Sequence, residues 1–388
     1  MRSIRIMAVF LILFVLIFCS KEAEYSQQIE MIEGVKVITN PDYPRDGVFQ
    51  LDLEEDLSIG VEEGDERYML NEPQDVKVTD DGTIFIMDWG DTCIKVYDSE
   101  GRYLRTVGRE GVGPGEFSTP VYMDISADGR VFLMDGRNQR IVLFNTDGDY
   151  LGGFRVMGFH SKMRADERNR FYFQRQTRGE EVKVLNSWQE LDVDTFVKRT
   201  DENGEGLFSF GPFLGEKDRI MRTETGTMSI GTSIRVTWDV DKAGYLYQGF
   251  NDEYAIHVFK PDGKKVLTFG REYTPVKNPR AKGRAGPQRY MPAFAPRWIF
   301  DEEGNLWIEI YTESEEKEED EERQYEKEKP KPIAYDVFSP QGDYLKKVIL
   351  PHRIYHFKNG KIYSITATEE GFRVVKRFKV KNWQPIKE

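Results

Sequence analysis

Short runs of apolar residues, separated by turn residues, follow one another along most of the chain. The clearest example lies between Gly111 and Phe154, where two pairs of such runs flank Ala127-Asp128-Gly129 and Thr146-Asp147-Gly148-Asp149. Glycine in these turns supplies the positive φ that a tight hairpin needs. Two hairpins in series predict a four-stranded antiparallel meander.

Weaker copies of this unit occur on both sides. Counting the clearest one, we predict six units, at Pro73–Gly108, Pro120–Val156, His160–Arg199, Arg235–Gly270, Ala295–Leu350 and Pro351–Val380. The third copy has a degenerate outer hairpin and is followed by a long connection that contains Phe208-Ser209-Phe210-Gly211. Repeated four-stranded meanders of this kind predict an all-β chain folded as a six-bladed β-propeller.

The sixth copy holds only three predicted strands, which would leave an open edge that recruits other strands. The segment Gly47–Ile59 alternates like a strand and lies outside the copies. We expect it to supply the missing outer strand and to close the ring. The propeller then spans residues 47–383, with a tail at 384–388.

Several motifs within the second unit resemble an NHL repeat. They are a G-x-G-P-G-x-F-x-x-P opening (Gly111–Pro120), a D-x-x-N-x-R-I corner (Asp135, Asn138, Arg140, Ile141) and an F-x-x-x-G-x-x-L exit (Phe144, Gly148, Leu151). The resemblance implies a six-bladed NHL-type propeller. Propellers of this kind serve as binding or scaffold modules, and some of them bind RNA.

The N-terminus resembles a bacterial export signal. Arg2 and Arg5 precede the apolar run Ile6–Phe18, which is shorter than the roughly 20 residues of a membrane-spanning helix. Leu16-Ile17-Phe18-Cys19 resembles a lipobox, which implies a lipid on Cys19, although Phe18 stands where a small residue is usual. An ordinary signal peptide or an uncleaved anchor stays open. We predict a signal peptide at 1–18, a polar tether at 19–46 and a place in the bacterial envelope, facing the periplasm or the cell surface.

Charge argues against a nucleic-acid partner. The formal net charge is −12, and removing residues 1–18, which hold two arginines and no acid, makes it −14. Nucleic acids are bound by clustered lysine and arginine. Besides Cys19 the chain has only Cys93, so no intramolecular disulfide framework is available, and we expect Cys93 to be a buried, inert thiol.

Long connections predict which propeller face binds. The turns between first and second strands and between third and fourth strands are short, whereas the second-to-third turns and the inter-blade crossings carry every long excursion. Irregular loops on a rigid scaffold are where recognition residues collect. On this face we expect a basic crossing at Arg271–Pro292, which includes Tyr273, Arg289 and Tyr290, and an acidic insertion at Glu313–Glu328.

Strand parity predicts a charged central channel. Residues six and four positions before each first turn are mostly apolar and should pack between blades. Residues seven and five positions before it should face the channel: Asp75, Lys77, Tyr122, Asp124, Lys162, Arg164, Thr237, Asp239, Arg297, Ile299, Arg353 and Tyr355. Five cations against three acids favour an anionic or carboxylate ligand, with Arg297, Arg353 and Lys162 nearest the loop-rich face. An internal ring of ion pairs remains the alternative.

These features predict an exported, lipid-anchored binding module. The candidate ligand-binding residues are Arg297, Arg353, Lys162, Arg164, Tyr122, Asp75, Asp124, Asp239, Tyr273, Arg289 and Tyr290. The expected partner is an anionic small molecule or an envelope protein, and we assign neither a cofactor nor catalytic residues. The alternative is a metal-dependent propeller lyase or hydrolase that acts at the channel mouth.

Overall fold

The computed structural model describes residues 25–156, 162–178, 185–231, 235–278, 290–311 and 332–386. Within these ranges the chain consists of β-strands joined by turns and contains no helix, so the prediction of an all-β chain is confirmed. It follows that these ranges hold no helix long and apolar enough to cross a membrane. The predicted signal peptide and Cys19 lie outside the described residues.

The described residues form 27 strands. In chain order they are β1 (Gln28–Ile32), β2 (Val35–Asn40), β3 (Val48–Ile59), β4 (Pro73–Val78), β5 (Ile84–Asp88), β6 (Cys93–Tyr97), β7 (Tyr103–Val107), β8 (Pro120–Ile125), β9 (Val131–Asp135), β10 (Arg140–Phe144), β11 (Tyr150–Arg155), β12 (Met163–Ala165), β13 (Phe171–Arg178), β14 (Trp188–Thr200), β15 (Gly206–Thr223), β16 (Gly226–Gly231), β17 (Val236–Val240), β18 (Leu246–Phe250), β19 (Ala255–Phe259), β20 (Lys265–Arg271), β21 (Trp298–Phe300), β22 (Leu306–Ile310), β23 (Ile333–Phe338), β24 (Tyr344–Leu350), β25 (His356–Lys358), β26 (Lys361–Ala367) and β27 (Arg373–Pro385).

The first two predicted units are four-stranded antiparallel sheets. One has the order β4-β5-β6-β7 and the other the order β8-β9-β10-β11. Gly82 and Gly129 in their first turns have φ values of 88° and 82°, in the left-handed region that glycine adopts at no steric cost. The meander deduced from the turn residues is therefore found in both sheets.

The third sheet differs from the expectation of a degenerate outer hairpin. It has the order β12-β13-β14-β15-β16, and its outer strands are long, with 13 residues in β14 and 18 in β15. Phe208–Gly211, which we placed in a connection, lie within β15. Gly211 and Pro212 fall where the register between β14 and β15 shifts, so an irregularity in the pairing accommodates two residues that usually end a strand.

The predicted tether also differs. Its residues Gln28–Ile32 and Val35–Asn40 form β1 and β2, and β2 pairs in parallel with β20 in the sheet β1-β2-β20-β19-β18-β17. Ile38 is 1% exposed in the core. The amide of Asn40 donates to the carbonyl oxygens of Gly270 and Gly342, at 2.6 and 3.0 Å. This part of the chain is integrated into the folded domain.

The last sheet has the order β21-β22-β23-β24-β3-β27-β26-β25. As expected for Gly47–Ile59, β3 lies beside the final meander, antiparallel to β27, with Leu53 opposite Val380. One end of β3 also pairs in parallel with β24, which joins two meanders into one sheet. The strand that comes early in the sequence therefore completes the last unit.

The inner strands of the successive units face one another. β4 contacts β8, β8 contacts β12, β12 contacts β17, β17 contacts β21, and β25 contacts β4. The residues six positions before each first turn are buried between sheets, as parity predicts: Val76, Met123, Met163, Trp238, Trp298 and Ile354. This succession places the inner strands around a common axis. The side chains of opposite parity, seven and five positions before each first turn, face that axis.

Candidate functional site

Polar side chains from different inner strands converge on the axis. Tyr122 on β8 shows this best, because four charged groups act on its hydroxyl. Burial raises the pKa of Tyr122, Arg164 and Arg297 oppose that rise, and Asp75 and Asp239 add to it. These residues belong to β4, β8, β17 and the segments at β12 and β21. The structure therefore brings five of the residues that strand parity selected close to one another.

Asp239 holds two of the predicted ligand cations. Its carboxylate accepts hydrogen bonds from Lys162 Nζ at 2.8 Å and from Arg164 Nε at 2.8 Å, and its side chain is 2% exposed. Burial opposes its charge, but Arg164 and Lys162 together keep the pKa of Asp239 below its ordinary value. Burial lowers the pKa of Lys162 to about 8. Lys162 and Arg164 are therefore counter-ions of Asp239, contrary to the expectation that they would be free for a ligand.

Lys77, Asp75 and Asp124 also have partners within the protein. Lys77 lies 3.4 Å from Asp75, and both side chains are largely buried. Asp124 accepts backbone N–H groups from Ile125 and Ala165, at 3.1 and 3.2 Å. Burial raises the pKa of Asp124, while Lys77 and Arg164 oppose the rise. This part of the channel is an internal polar network, the alternative that the sequence left open.

Arg353, nearer the loop-rich face, has a carboxylate partner but remains partly exposed. Its Nε and Nη2 atoms donate to the two carboxylate oxygens of Glu309, at 2.8 and 2.5 Å. These hydrogen bonds raise the pKa of Arg353 further above its ordinary value. The Arg353 side chain is nonetheless 40% exposed, whereas that of Glu309 is 10% exposed. One edge of the guanidinium is thus held by the protein and the other faces outward.

Sequence reasoning missed Glu309. The residue lies in β22, with the sequence Leu-Trp-Ile-Glu-Ile, and a single carboxylate in an otherwise apolar strand was the available signal. Strand parity was applied only to inner strands, whereas β22 is the second strand of its meander. The channel therefore contains four carboxylates and five cations rather than the predicted three and five.

Arg297 is the cation that remains open. Its guanidinium lies over the ring of Tyr355, 5.0 Å from the centroid, and the residue is exposed. Among the described residues no carboxylate forms an ion pair with it. Arg297 and Arg353 lie near the same tyrosine, since both oppose the rise in the pKa of Tyr335 that burial causes. Both guanidinium groups, from neighbouring units, are therefore close enough to Tyr335 to act on its hydroxyl.

The structure places only part of the predicted basic crossing, because residues 279–289 lie outside the described ranges. Arg271 is buried against Asp336, with Nε 2.7 Å from the carboxylate and its guanidinium 4.6 Å from the Tyr254 ring centroid. Tyr273 is half-buried and donates to the carbonyl oxygen of Asp252 at 3.2 Å, so it packs on the core instead of facing a ligand. Tyr290 is 41% exposed. Arg289 and the acidic insertion Glu313–Glu328 lie outside the described residues.

The NHL-like motifs hold loops in place. Asp135 is fully buried and accepts from Asn138 Nδ2 at 2.6 Å and from Arg140 Nε at 3.4 Å. Arg140 also donates to the carbonyl oxygens of Val112 and Glu116, at 3.0 and 2.6 Å, and so fastens the glycine-rich crossing to the corner. Burial raises the pKa of Cys93 to about 12, as expected of an unreactive thiol.

Metal-ligating groups are dispersed in the ranges that the structure covers, where no three His, Cys, Asp or Glu side chains come together as a potential metal site. His160, the first residue of the predicted third unit, lies outside those ranges.

Several solved structures align with most of this chain. A member of the duf4221 family from Bacteroides vulgatus ATCC 8482 aligns with a TM-score of 0.52 at 12% identity, over 87% of this chain and 99% of that one. A protein from Bacteroides fragilis NCTC 9343, named as exported, gives a TM-score of 0.49 at 12% identity, over 89% and 98% of the two chains. Virginiamycin B lyase from Staphylococcus aureus gives 0.39 at 12% identity, over 84% and 99%. At 12% identity the first of these structures shows similarity of fold alone, and the other two, with TM-scores below 0.5, carry no argument about this chain.

No curated protein matches the sequence significantly. The family model DUF5128, described as a 6-bladed beta-propeller, matches residues 63–266, which is more than half of the chain. That span includes the first four inner strands and the residues that converge on Tyr122, apart from Arg297. The chain therefore belongs to the DUF5128 family of β-propellers.

Proposed function

We propose that this protein is a binding module whose ligand is a small anion with a carboxylate, held at the loop-rich mouth of the propeller channel. In this proposal the sheets make up six NHL-like blades, and β3 closes the ring. The protein is exported and anchored to a membrane through a lipid on Cys19. Residues 20–27 then link the anchor to β1.

The observation that carries the proposal is the open cation Arg297. The inner cations Lys77, Lys162 and Arg164 have carboxylate partners nearby, whereas Arg297 rests on Tyr355 and has none among the described residues. A guanidinium binds a carboxylate in a planar, bidentate geometry. Arg297 therefore supplies the uncompensated charge that a carboxylate ligand needs.

Arg353 adds hydrogen bonds rather than net charge. A ligand that displaced Glu309 would leave a carboxylate that is only 10% exposed without its cation, which costs roughly 3–5 kcal/mol. Binding to the open edge of Arg353, formed by Nη1 and Nη2, avoids that cost. The ligand therefore joins Arg297 and Arg353 while Glu309 stays in place.

A thermal-melt screen tests this function. The purified protein is heated with small carboxylates, acidic sugars and divalent metal ions, beside Arg297→Ala and Arg137→Ala. Arg137 is an exposed arginine in the turn after β9 and serves as the matched control. A ligand at a hundred times its Kd adds about 2.7 kcal/mol and raises the Tm by a few degrees.

We expect a carboxylate to raise the Tm of the protein and of Arg137→Ala but not of Arg297→Ala. A rise that needs a metal ion instead would favour a metal-dependent enzyme. No rise with any carboxylate would contradict the proposed ligand class.

The anchor has its own test. Cells that produce the protein are fed a labelled fatty acid, with Cys19→Ala as the comparison. We expect the label and membrane fractionation to be lost in Cys19→Ala. A labelled Cys19→Ala protein would show that the lipid lies elsewhere.

A further inference from the structure

A cavity lies away from the channel, between the first sheet and the turn that joins β26 to β27. Its volume is about 750 Å³, large enough for a small organic molecule. The segment between β3 and β4 covers one side, with Glu62, Glu66 and Arg67. The rest of the lining includes Asp91, Lys95, Tyr103 and Phe372.

The covering segment is a closed loop. The N–H of Val61 donates to the carbonyl oxygen of Tyr68 at 3.1 Å, and the N–H of Tyr68 donates to that of Asp65 at 2.8 Å. Arg67 donates to both carboxylate oxygens of Asp65, at 2.6–3.0 Å, which braces the turn from the side. One wall of the cavity is therefore a loop that is stabilised by its own hydrogen bonds.

The two cations of the cavity are already neutralised. Lys95 is 6% exposed, and its ammonium donates to the carboxylate of Asp91 at 2.9 Å and to the carbonyl oxygens of Glu66 and Met69. An ammonium has three N–H donors, so Lys95 has none left for a ligand. Arg67 is paired with Asp65. An anion therefore finds no uncompensated positive charge in this cavity.

Glu62 and Glu66 are left without a counter-ion. Within the described part of the chain neither carboxylate has a cation at ion-pair distance. Both residues are exposed and line the cavity together with Tyr103 and Phe372. The Arg67 guanidinium lies 6.0 Å from the centroid of the Tyr103 ring, at the outer limit of a cation–π contact. Negative charge beside aromatic surface suits a weakly hydrated organic cation.

We propose that this cavity is a second ligand site, which binds a small organic cation such as a quaternary ammonium compound or a polyamine. Glu62 and Glu66 supply the charge that the ligand neutralises, and Tyr103 and Phe372 contact its apolar part. The site is separate from the channel mouth and opposite to it in charge preference. It does not depend on the function proposed for Arg297.

Isothermal titration tests the site with choline, spermidine and agmatine as probes. The matched neutral control for choline is 3,3-dimethylbutan-1-ol, which has the same shape without the charge. The test variant is Glu62→Gln/Glu66→Gln. It keeps the carbonyl oxygen of residue 66 that Lys95 uses, and a melt checks that it is folded. Arg297→Ala, in the channel, is the second control.

We expect at least one cation to bind, and any choline binding to exceed that of the neutral alcohol at least tenfold. We also expect the binding to weaken at least tenfold in Glu62→Gln/Glu66→Gln and to persist in Arg297→Ala. Three results would overturn the proposal: no binding by any of the three cations at millimolar concentration, equal binding of choline and its neutral analogue, or unchanged binding by the folded double variant.

Discussion

Glu309 holds Arg353 through both of its carboxylate oxygens, at 2.8 and 2.5 Å, although the two residues are 44 positions apart in the sequence. The pair connects β22 to the segment that precedes β25. It neutralises Arg353 at the channel mouth and leaves the neighbouring Arg297 as the open cation. The positive charge available to a ligand therefore depends on Glu309 as much as on Arg297 and Arg353.

Replacing Glu309 should strengthen anion binding. In Glu309→Gln the charge of Arg353 is no longer offset, and attraction over several ångströms at the half-exposed mouth is worth on the order of 0.5–1 kcal/mol. We expect the Kd for a small carboxylate to fall about threefold, measured by isothermal titration at low salt. The gain should shrink as ionic strength rises. Weaker binding in Glu309→Gln would instead mean that Glu309 positions Arg353 for the ligand.

Asp239 should be the most costly channel residue to neutralise. Asp239→Asn keeps the side-chain shape but leaves Lys162 and Arg164 without their buried carboxylate. We expect a loss of about 3 kcal/mol in the free energy of unfolding, measured by urea denaturation. Asp80→Asn is the control, because Asp80 pairs with Lys358 but is 98% exposed, and should cost less than about 1 kcal/mol. Equal costs for the two variants would refute the assigned role of Asp239.

His356 should make the protein sensitive to mild acid. Burial, with Lys77 nearby, lowers its pKa from 6.5 to about 3. Between these values the unfolded chain binds a proton that the folded protein does not, so stability falls as the pH decreases from 6.5 towards 3. Between pH 6.5 and pH 5, we expect the free energy of unfolding to fall by about 1 kcal/mol less in His356→Gln than in the unmodified protein.

Urea unfolding at the two pH values measures the difference. His257 and His352 also have a lowered pKa, so part of the acid sensitivity should remain in His356→Gln. An identical pH dependence in both proteins would show that His356 takes up its proton in the folded state.

The N-terminal strands should be required for full stability. A chain that starts at Gly47 lacks the buried Ile38 and the Asn40 amide that bonds Gly270 and Gly342. Loss of a buried isoleucine alone costs roughly 2–5 kcal/mol, so we expect the urea midpoint to fall clearly. A chain that starts at Tyr25 should match the full chain. Equal urea midpoints for both truncations would instead support the prediction that residues 19–46 are a tether outside the folded domain.

Turn chemistry and strand parity predicted much of this protein. The inner strands and their buried faces could be predicted from local sequence. The glycines of the first turns and the alternation around Met123 and Trp238 depend only on neighbouring residues. β2 could not, since its parallel partner β20 lies more than 200 residues away and burial of Ile38 depends on that pairing. Likewise the channel residues were found, but their pairing was not, because Lys162 and Asp239 meet only in the folded ring.

The most direct measurement is isothermal titration of the carboxylate that gives the largest Tm rise into the purified protein, Arg297→Ala and Arg137→Ala. The account predicts binding that weakens at least tenfold in Arg297→Ala, stays unchanged in Arg137→Ala and declines as salt is added. Equal binding by Arg297→Ala, or no heat with any carboxylate at millimolar concentration, would contradict an anion site at the channel mouth.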